Sequence, residues 1–404
     1  MSTTPDSQGQ AQDPFATVEI DPNDLYGRDG KQYLADPDLC AAANAALYLE
    51  MPLLLTGEPG CGKTHFAWAA AWGLFKQMHR GAVYSLENAP QPLICQVRSD
   101  SRARDLLYQY DAIRRFGDAQ HGGDIGKLRA SDARQYIELG GLGRALMDQG
   151  RLVVLIDEID KAQRDLPNDL LNELDFGDFE IPEIPASLPP EVAHHLPAQV
   201  DSYGIPLRRK MERPSIVRST PARRSPKPLV IITSNVERQL PDAFLRRCVF
   251  FHIDFPDRGR LTDILLDHLR DSLDRLNRPG RELLAESRRF LTDKQQRKGG
   301  LGSARSALSE CAQAFLEAIV DILLRLRSKP LTKRPATAEL IAWCRALLGS
   351  TLAERQLLAV LSVARALLNE NSDSELALGT LPQAGCLIKL REDWERLRAR
   401  HTAQ

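Results

Sequence analysis

Leu53-Leu54-Leu55-Thr56-Gly57-Glu58-Pro59-Gly60-Cys61-Gly62-Lys63-Thr64 decides how this chain is read. An apolar run enters a glycine-rich turn and a helix-forming segment follows, matching the pattern G-x-x-x-x-G-K-[ST]. The glycines permit positive φ and let backbone N–H groups converge on phosphate oxygens. A helix beginning near Lys63 turns its positive end toward the same anion. Lys63 brings a fixed charge to β- and γ-phosphates, and the Thr64 hydroxyl suits a Mg²⁺ ligand. With its strand and helix flanks, the stretch reads as a nucleoside triphosphate site. Its contact residues are Gly57, Glu58, Pro59, Gly60, Cys61, Gly62, Lys63, Thr64 and His65.

A second signal is Arg151-Leu152-Val153-Val154-Leu155-Ile156-Asp157-Glu158. Its apolar run predicts a buried parallel strand. Two carboxylates emerge at its C-terminal end, where open α/β sheets place ligands. Asp157 is expected to hold the Mg²⁺ hydration shell and Glu158 to orient and polarise an attacking water. Leu229–Asn235 is a further buried strand, ending in Thr233, Ser234 and Asn235. Leu240–Arg247 then starts as a helix and ends on Arg246 and Arg247, and Cys248–Ile253 is another strand. Together with Ala82–Leu86 and Pro92–Val97, these segments predict an α/β, doubly wound parallel sheet.

Outside these motifs, residues 1–20 read as a disordered tail and Leu34–Leu49 as an amphipathic helix. His65 to Met78 continues as the helix behind the phosphate loop. A helix is expected through Arg104–Ile113, an irregular glycine-rich insertion over 116–135, renewed helical period over Tyr136–Gln149, and a short helix over Asp165–Asp175. A second insertion, 180–228, is Pro-rich and then basic. Arg208, Arg209, Lys210, Arg213, Arg218, Arg223, Arg224 and Lys227 there read as a solvated loop, or as a grip on an acidic partner or nucleic acid. From Arg258 the chain is helical in period, over 261–276, 282–291, 303–326, 338–347, 352–368 and 391–398. The α/β domain is thus expected over 21–256 and a helical domain over 257–404.

Composition sets limits. Length 404 suffices for two domains, and 53 Lys and Arg against 54 Asp and Glu give no global attraction to nucleic acid or membranes. No apolar run reaches the roughly 18–20 residues that cross a bilayer. The N-terminal stretch lacks a signal-peptide layout. Seven scattered cysteines form neither metal-ligand spacing nor an even disulfide set. These features lead one to expect a cytoplasmic protein with reduced thiols.

The order of motifs resembles the AAA+ ATPases, and three stretches look like the MoxR branch: Leu54–Thr64, Leu155–Ala162 and Ile231–Arg247. Lys333–Trp343 is similar to a lid motif of some MoxR-like relatives. The resemblance implies a P-loop AAA+ core followed by an all-α helical lid, with ATP and Mg²⁺ as ligands. It implies that Asn235 is the sensor-1 residue. Arg247, or alternatively Arg246, is then the finger that completes an adjacent subunit's site. Arg334 matches sensor 2, with Lys333 and Arg305 as rivals. It further implies a homo-oligomeric ring, most simply a hexamer, that remodels a protein partner such as a von Willebrand factor A domain protein. The two insertions fall where MoxR-like proteins carry a helix-2 insert and a pre-sensor-1 hairpin. Two rival readings are a nucleotide-gated scaffold with slow turnover and a nucleic-acid motor acting through 208–227.

Overall fold

Five parallel strands are set side by side, the three central ones apolar enough to be buried on both faces and the two edge strands exposed on one. They are β1 (Leu53–Gly57), β2 (Leu93–Gln96), β3 (Val153–Asp157), β4 (Leu229–Ser234) and β5 (Val249–Ile253). Their order is β2-β3-β4-β1-β5, with every pairing parallel. The computed structural model describes residues 19–28, 30–78, 91–147, 152–184, 216–217, 227–274, 304–349, 353–368 and 378–399.

The two-residue period of the strands sorts the side chains into two cores. Leu53, Leu55, Val153, Leu155, Leu229 and Ile231 pack with Leu39, Ala43, Phe66 and Ala70, from the helices Pro37–Leu49 and Lys63–Met78. Leu54, Val154, Ile156, Val230 and Ile232 face the other way, onto a core with Leu106, Leu142, Leu146, Leu166 and Leu170. Helices therefore cover both faces of the sheet. The first helix starts where Asp36 accepts the Asp38 N–H and Pro37 sets the first turn. Because all strands run in one direction, the C-terminal ends of β1, β3 and β4 meet along one edge. In register, Leu55 lies opposite Thr233 and Ile156 opposite Ile232.

Several local expectations are corrected. The segment expected as one helix through Arg104–Ile113 is a helix Ala103–Leu107, a strand Tyr108–Tyr110 and a new helix Ala112–His121. Tyr108–Tyr110 pairs antiparallel with Ile137–Leu139, so Tyr136–Gln149 does not start as a helix either; its helix is Gly141–Met147. The glycine-rich 116–135 stretch is not irregular, because helices Ala112–His121 and Gly123–Ala130 cover most of it. No residue of Ala112–His121 is buried, and its large apolar side chains Ile113 and Phe116 are exposed. Asp165–Asp175 is two short helices, Leu166–Asp169 and Leu171–Phe176. Within the second insertion, Phe179–Glu180 pairs antiparallel with Ile216–Val217. The arginines at 208–224, the strand expected at 82–86, the helix at 282–291 and most of the N-terminal tail lie outside the described residues.

Contacts divide the chain into two compact units. One holds Met1–Gly57 and Lys63–Ile253, the other Glu58–Gly62 and Asp254–Gln404. The second is helical, with helices Arg258–Asp274, Ala304–Arg327, Thr337–Gly349, Ala353–Leu368 and Arg391–Ala399. Leu261, Leu265, Phe315, Ile319, Leu340, Trp343, Leu357 and Val360 form its core at helical spacing. The buried Trp343 indole is satisfied by the Pro382 carbonyl at 2.8 Å. The architecture is the expected fold class: an α/β, doubly wound parallel-sheet core followed in sequence by an all-α unit. No helix among the described residues is long and apolar enough to cross a membrane. No disulfide joins the described cysteines, and burial pushes the Cys95 thiol up to about 11.

Candidate nucleotide site

Beyond β1 the chain turns through Gly60 at φ 79° and Gly62 at φ 101°, and the helix Lys63–Met78 begins directly afterwards. These conformations suit glycine and would strain any residue with a Cβ. Lys63 is only 6% exposed, and its ammonium donates to the Gly57 carbonyl at 2.9 Å. The lysine is thereby folded back along the loop that it is expected to serve.

At the end of β3, Asp157 collects two hydroxyl donors on one oxygen. Thr64 donates to its Oδ1 at 3.0 Å and Thr233 at 2.7 Å. Thr233 also accepts the Glu158 N–H at 2.8 Å. Glu158 itself has left-handed backbone, φ 58° and ψ 53°, a costly state for a non-glycine residue that needs surrounding bonds to persist. Its carboxylate accepts from the Asn235 amide at 3.2 Å and pairs with the Lys161 ammonium. That hydrogen bond from Lys161 to Glu158 is the leading cause that holds Lys161 charged to higher pH than usual.

The turn that follows β4 is tied to the turn that follows β3. Asp160, 3% exposed, accepts the N–H groups of Asn235 and Glu237, each at 3.0 Å. Arg238 donates to the Ala162 carbonyl at 3.2 Å. The sheet edge therefore brings Thr64, Asp157, Thr233, Glu158 and Asn235 into one bonded group, drawn from segments up to 171 residues apart, between positions 64 and 235.

The donor set fits a magnesium nucleotide. A threonine hydroxyl and an aspartate beside a helix N-terminus are the hard oxygen ligands that Mg²⁺ takes sparingly, its other positions going to phosphate and water. Among the described residues no group of three or more His, Cys, Asp and Glu could hold a metal without such help.

Arg247 sits just past the short helix Asp242–Leu245, with Arg246 as its C-terminal cap. The Arg247 Nε donates to Asp175 Oδ2 at 2.6 Å and its Nη1 to the Ala243 carbonyl at 3.1 Å. Arg246 is exposed.

Within the helical unit, the tip of the phosphate loop has its own contacts. Arg327 pairs with Glu58 at 2.6 Å, donates to the Pro335 carbonyl at 2.6 Å, and lies 3.5 Å over the Phe255 ring. A Cβ at Gly60 would meet that of Ala336 at 3.0 Å. Arg334 is exposed, while Thr332 and Lys333 donate their N–H groups to Asp393 at 2.8 and 3.0 Å. The side chain of Arg305 is outside the described residues. Sequence reading missed Asp160, Lys161, Thr233 and Arg327. Asp160, Lys161 and Thr233 stand beside motif residues, and that adjacency was the available signal. Nothing local marks Arg327, whose partner Glu58 is 269 residues away.

No protein-family model matches the chain. No curated protein matches it either. Solved structures do. A structure of C. elegans PCH-2 is 14% identical, with 86% of this chain and 72% of that one covered and a TM-score of 0.35. The FIGL-1 AAA domain in complex with ADP is 14% identical, with 87% and 71% covered and a TM-score of 0.28. Similarities this low carry no argument about chemistry. The fold assignment rests on the strand order, the phosphate loop and the helical unit described above.

Proposed function

We propose that this chain is an AAA+ ATPase of the MoxR-like branch, working as a homo-oligomeric ring that couples ATP hydrolysis to remodelling a protein partner. The observation that carries the hydrolytic part is the bonded series Thr64–Asp157–Thr233–Glu158–Asn235 at the C-terminal edge of the sheet. A purely binding site needs the loop and Lys63. It has no need of a carboxylate in strained backbone with an amide beside it.

In this reading the loop N–H groups and Lys63 bind the β- and γ-phosphates, and Thr64 with Asp157 hold Mg²⁺. When bound, Mg²⁺ would supply charge that neutralises the phosphate oxygens. Glu158 accepts a proton from the attacking water while Asn235 keeps the carboxylate and that water aligned. Arg247, or Arg246, meets the charge that develops in a neighbouring copy's site. Arg327 joins Arg334, Lys333 and Arg305 as a candidate for the cation that the helical unit contributes. The MoxR assignment, the hexamer and a von Willebrand factor A domain partner rest on the sequence resemblance.

Steady-state ATP hydrolysis across a protein concentration series tests the proposal. Specific activity is expected to rise with assembly, and Glu158→Gln to abolish turnover while leaving ATP bound. Wild-type turnover equal to that of Glu158→Gln would overturn the enzymatic reading. A second reading, a nucleotide-gated scaffold with slow turnover, is favoured by Arg247 being paired within its own chain. It expects nucleotide-dependent assembly with turnover indifferent to Arg247.

A further inference from the structure

Two turns carry the reactive groups of the candidate site, and Ile159, Ala162 and Leu240 on their inner sides belong to one apolar core. A groove of about 370 Å³ lies between residues 159–167 and 238–241, lined by Ala162, Gln163, Pro167, Arg238 and Leu240 among others. Apolar packing brings the two turns together, and polar bonds between them fix the geometry of their backbones. The central one is Asp160. Its Oδ2 accepts two backbone N–H groups, from Asn235 and Glu237, while its Oδ1 is buried with no partner among the described residues.

Burying a carboxylate with one oxygen unpaired is unfavourable, and a neutral or apolar side chain would avoid that cost. What the charge supplies is strength, since N–H bonds to an ionised acceptor are about twice as strong as neutral ones. They are needed where the chain is strained on both sides, with Glu158 at φ 58° and Val236 at φ 61°. Asp160 is two residues from Glu158 and bonded to the backbone of Asn235. It thus sets how far the Asn235 amide stands from the Glu158 carboxylate, now 3.2 Å.

We propose that Asp160 is a positioning residue for ATP hydrolysis, acting through Asn235 on Glu158. The proposal rests on the hydrolytic reading above. Asp160 is buried and bonded to backbone N–H groups of the Asn235 turn, so its removal is expected to lower kcat and leave ADP affinity alone. A misplacement of about 1 Å can cost on the order of 100-fold in rate, so Asp160→Ala is expected to lose roughly 10- to 100-fold in kcat.

The test uses the full chain and the variants Asp160→Ala, Asp160→Asn, Asn235→Ala and Asp160→Ala/Asn235→Ala. It measures kcat, KM for ATP, ADP affinity with a fluorescent analogue, and assembly state. In the expected result KM and ADP affinity stay within about threefold, and the double variant is no slower than Asn235→Ala, because residues acting as one unit are non-additive. Asp160→Asn, which keeps an acceptor oxygen, is expected to recover most of the lost rate. Unchanged kcat in Asp160→Ala, or losses that multiply in the double variant, would overturn the proposal. If Asp160→Ala does not fold, Asp160→Asn decides alone: a two- to tenfold loss of kcat at unchanged ADP affinity is expected, and an undiminished kcat overturns it. Failure of the hydrolytic reading itself looks different, as wild type and Glu158→Gln would then turn over alike.

Discussion

The Arg247 guanidinium is held 2.6 Å from the Asp175 carboxylate of its own chain. Both side chains are substantially exposed, 44% and 35%, so the pair is an exchangeable one worth about 0–1 kcal/mol. A neighbouring triphosphate offers more charge than Asp175 does. In the proposed ring, Arg247 would leave its partner at little cost.

Replacing Arg247 by Ala is accordingly expected to lower kcat by about 10³-fold or more if the residue acts in trans, with monomer stability nearly unchanged. Asp175→Asn is expected to change activity by no more than about fivefold, the equivalent of the pair's worth. Mixing Arg247→Ala with Glu158→Gln protein gives the decisive measurement. Recovered activity in the mixture means that one copy's arginine serves another copy's glutamate.

Thr233 accepts from Glu158 and donates to Asp157 in the same bonded series. Thr233→Val keeps the shape and leaves both groups without that partner, which costs about 1–3 kcal/mol for each buried polar group so exposed to loss. Urea unfolding is expected to register this, with kcat falling by about tenfold for each 1.4 kcal/mol lost in the transition state. Thr233→Ser, which retains the hydroxyl, is expected to recover both.

Arg327 is 10% exposed at its side chain, and its bonds to Glu58 and Pro335 and its place over Phe255 make it a fastening point of the helical unit. Arg327→Met is expected to destabilise that unit by about 1–3 kcal/mol, the worth of hydrogen bonds to a charged group, and to weaken ATP binding more than ADP binding. Arg334→Met should do neither if Arg327 is the contributing cation. Isothermal titration of both nucleotides against both variants separates the two arginines.

The Asp393 carboxyl predicts how the helical unit responds to acid. Burial alone would push its pKa up, but the N–H groups of Thr332 and Lys333 and the nearby Arg396 outweigh that, and its pKa is lowered. A carboxyl depressed in the folded state stabilises fully above its unfolded pKa of about 3.9. That stabilisation is lost as pH falls through the lower folded value. Melting temperatures of wild type and Asp393→Asn should differ most near neutral pH and converge in acid.

How much of this was legible beforehand follows from where each residue's partners lie. β1, β3 and β4 could be placed because strands buried on both faces are written as unbroken apolar runs. Thr64, Asp157, Glu158 and Asn235 stood at the ends of those runs. The helices over 112–130 were not legible, since Gly117, Gly122, Gly123 and Gly126 punctuate them and their large apolar residues stay exposed.

The sequence by itself determined the order of the parallel strands' contents, the phosphate loop and the carboxylates that face it, because each is encoded within a dozen consecutive residues. Only the tertiary structure decided that Asp160 grips Asn235 and Glu237, that Lys161 and Asn235 share Glu158, and that Arg327 meets Glu58. The physical reason is distance along the chain: a hydrogen bond acts over about 3 Å of space, and no local pattern records which remote segment folding will bring within it.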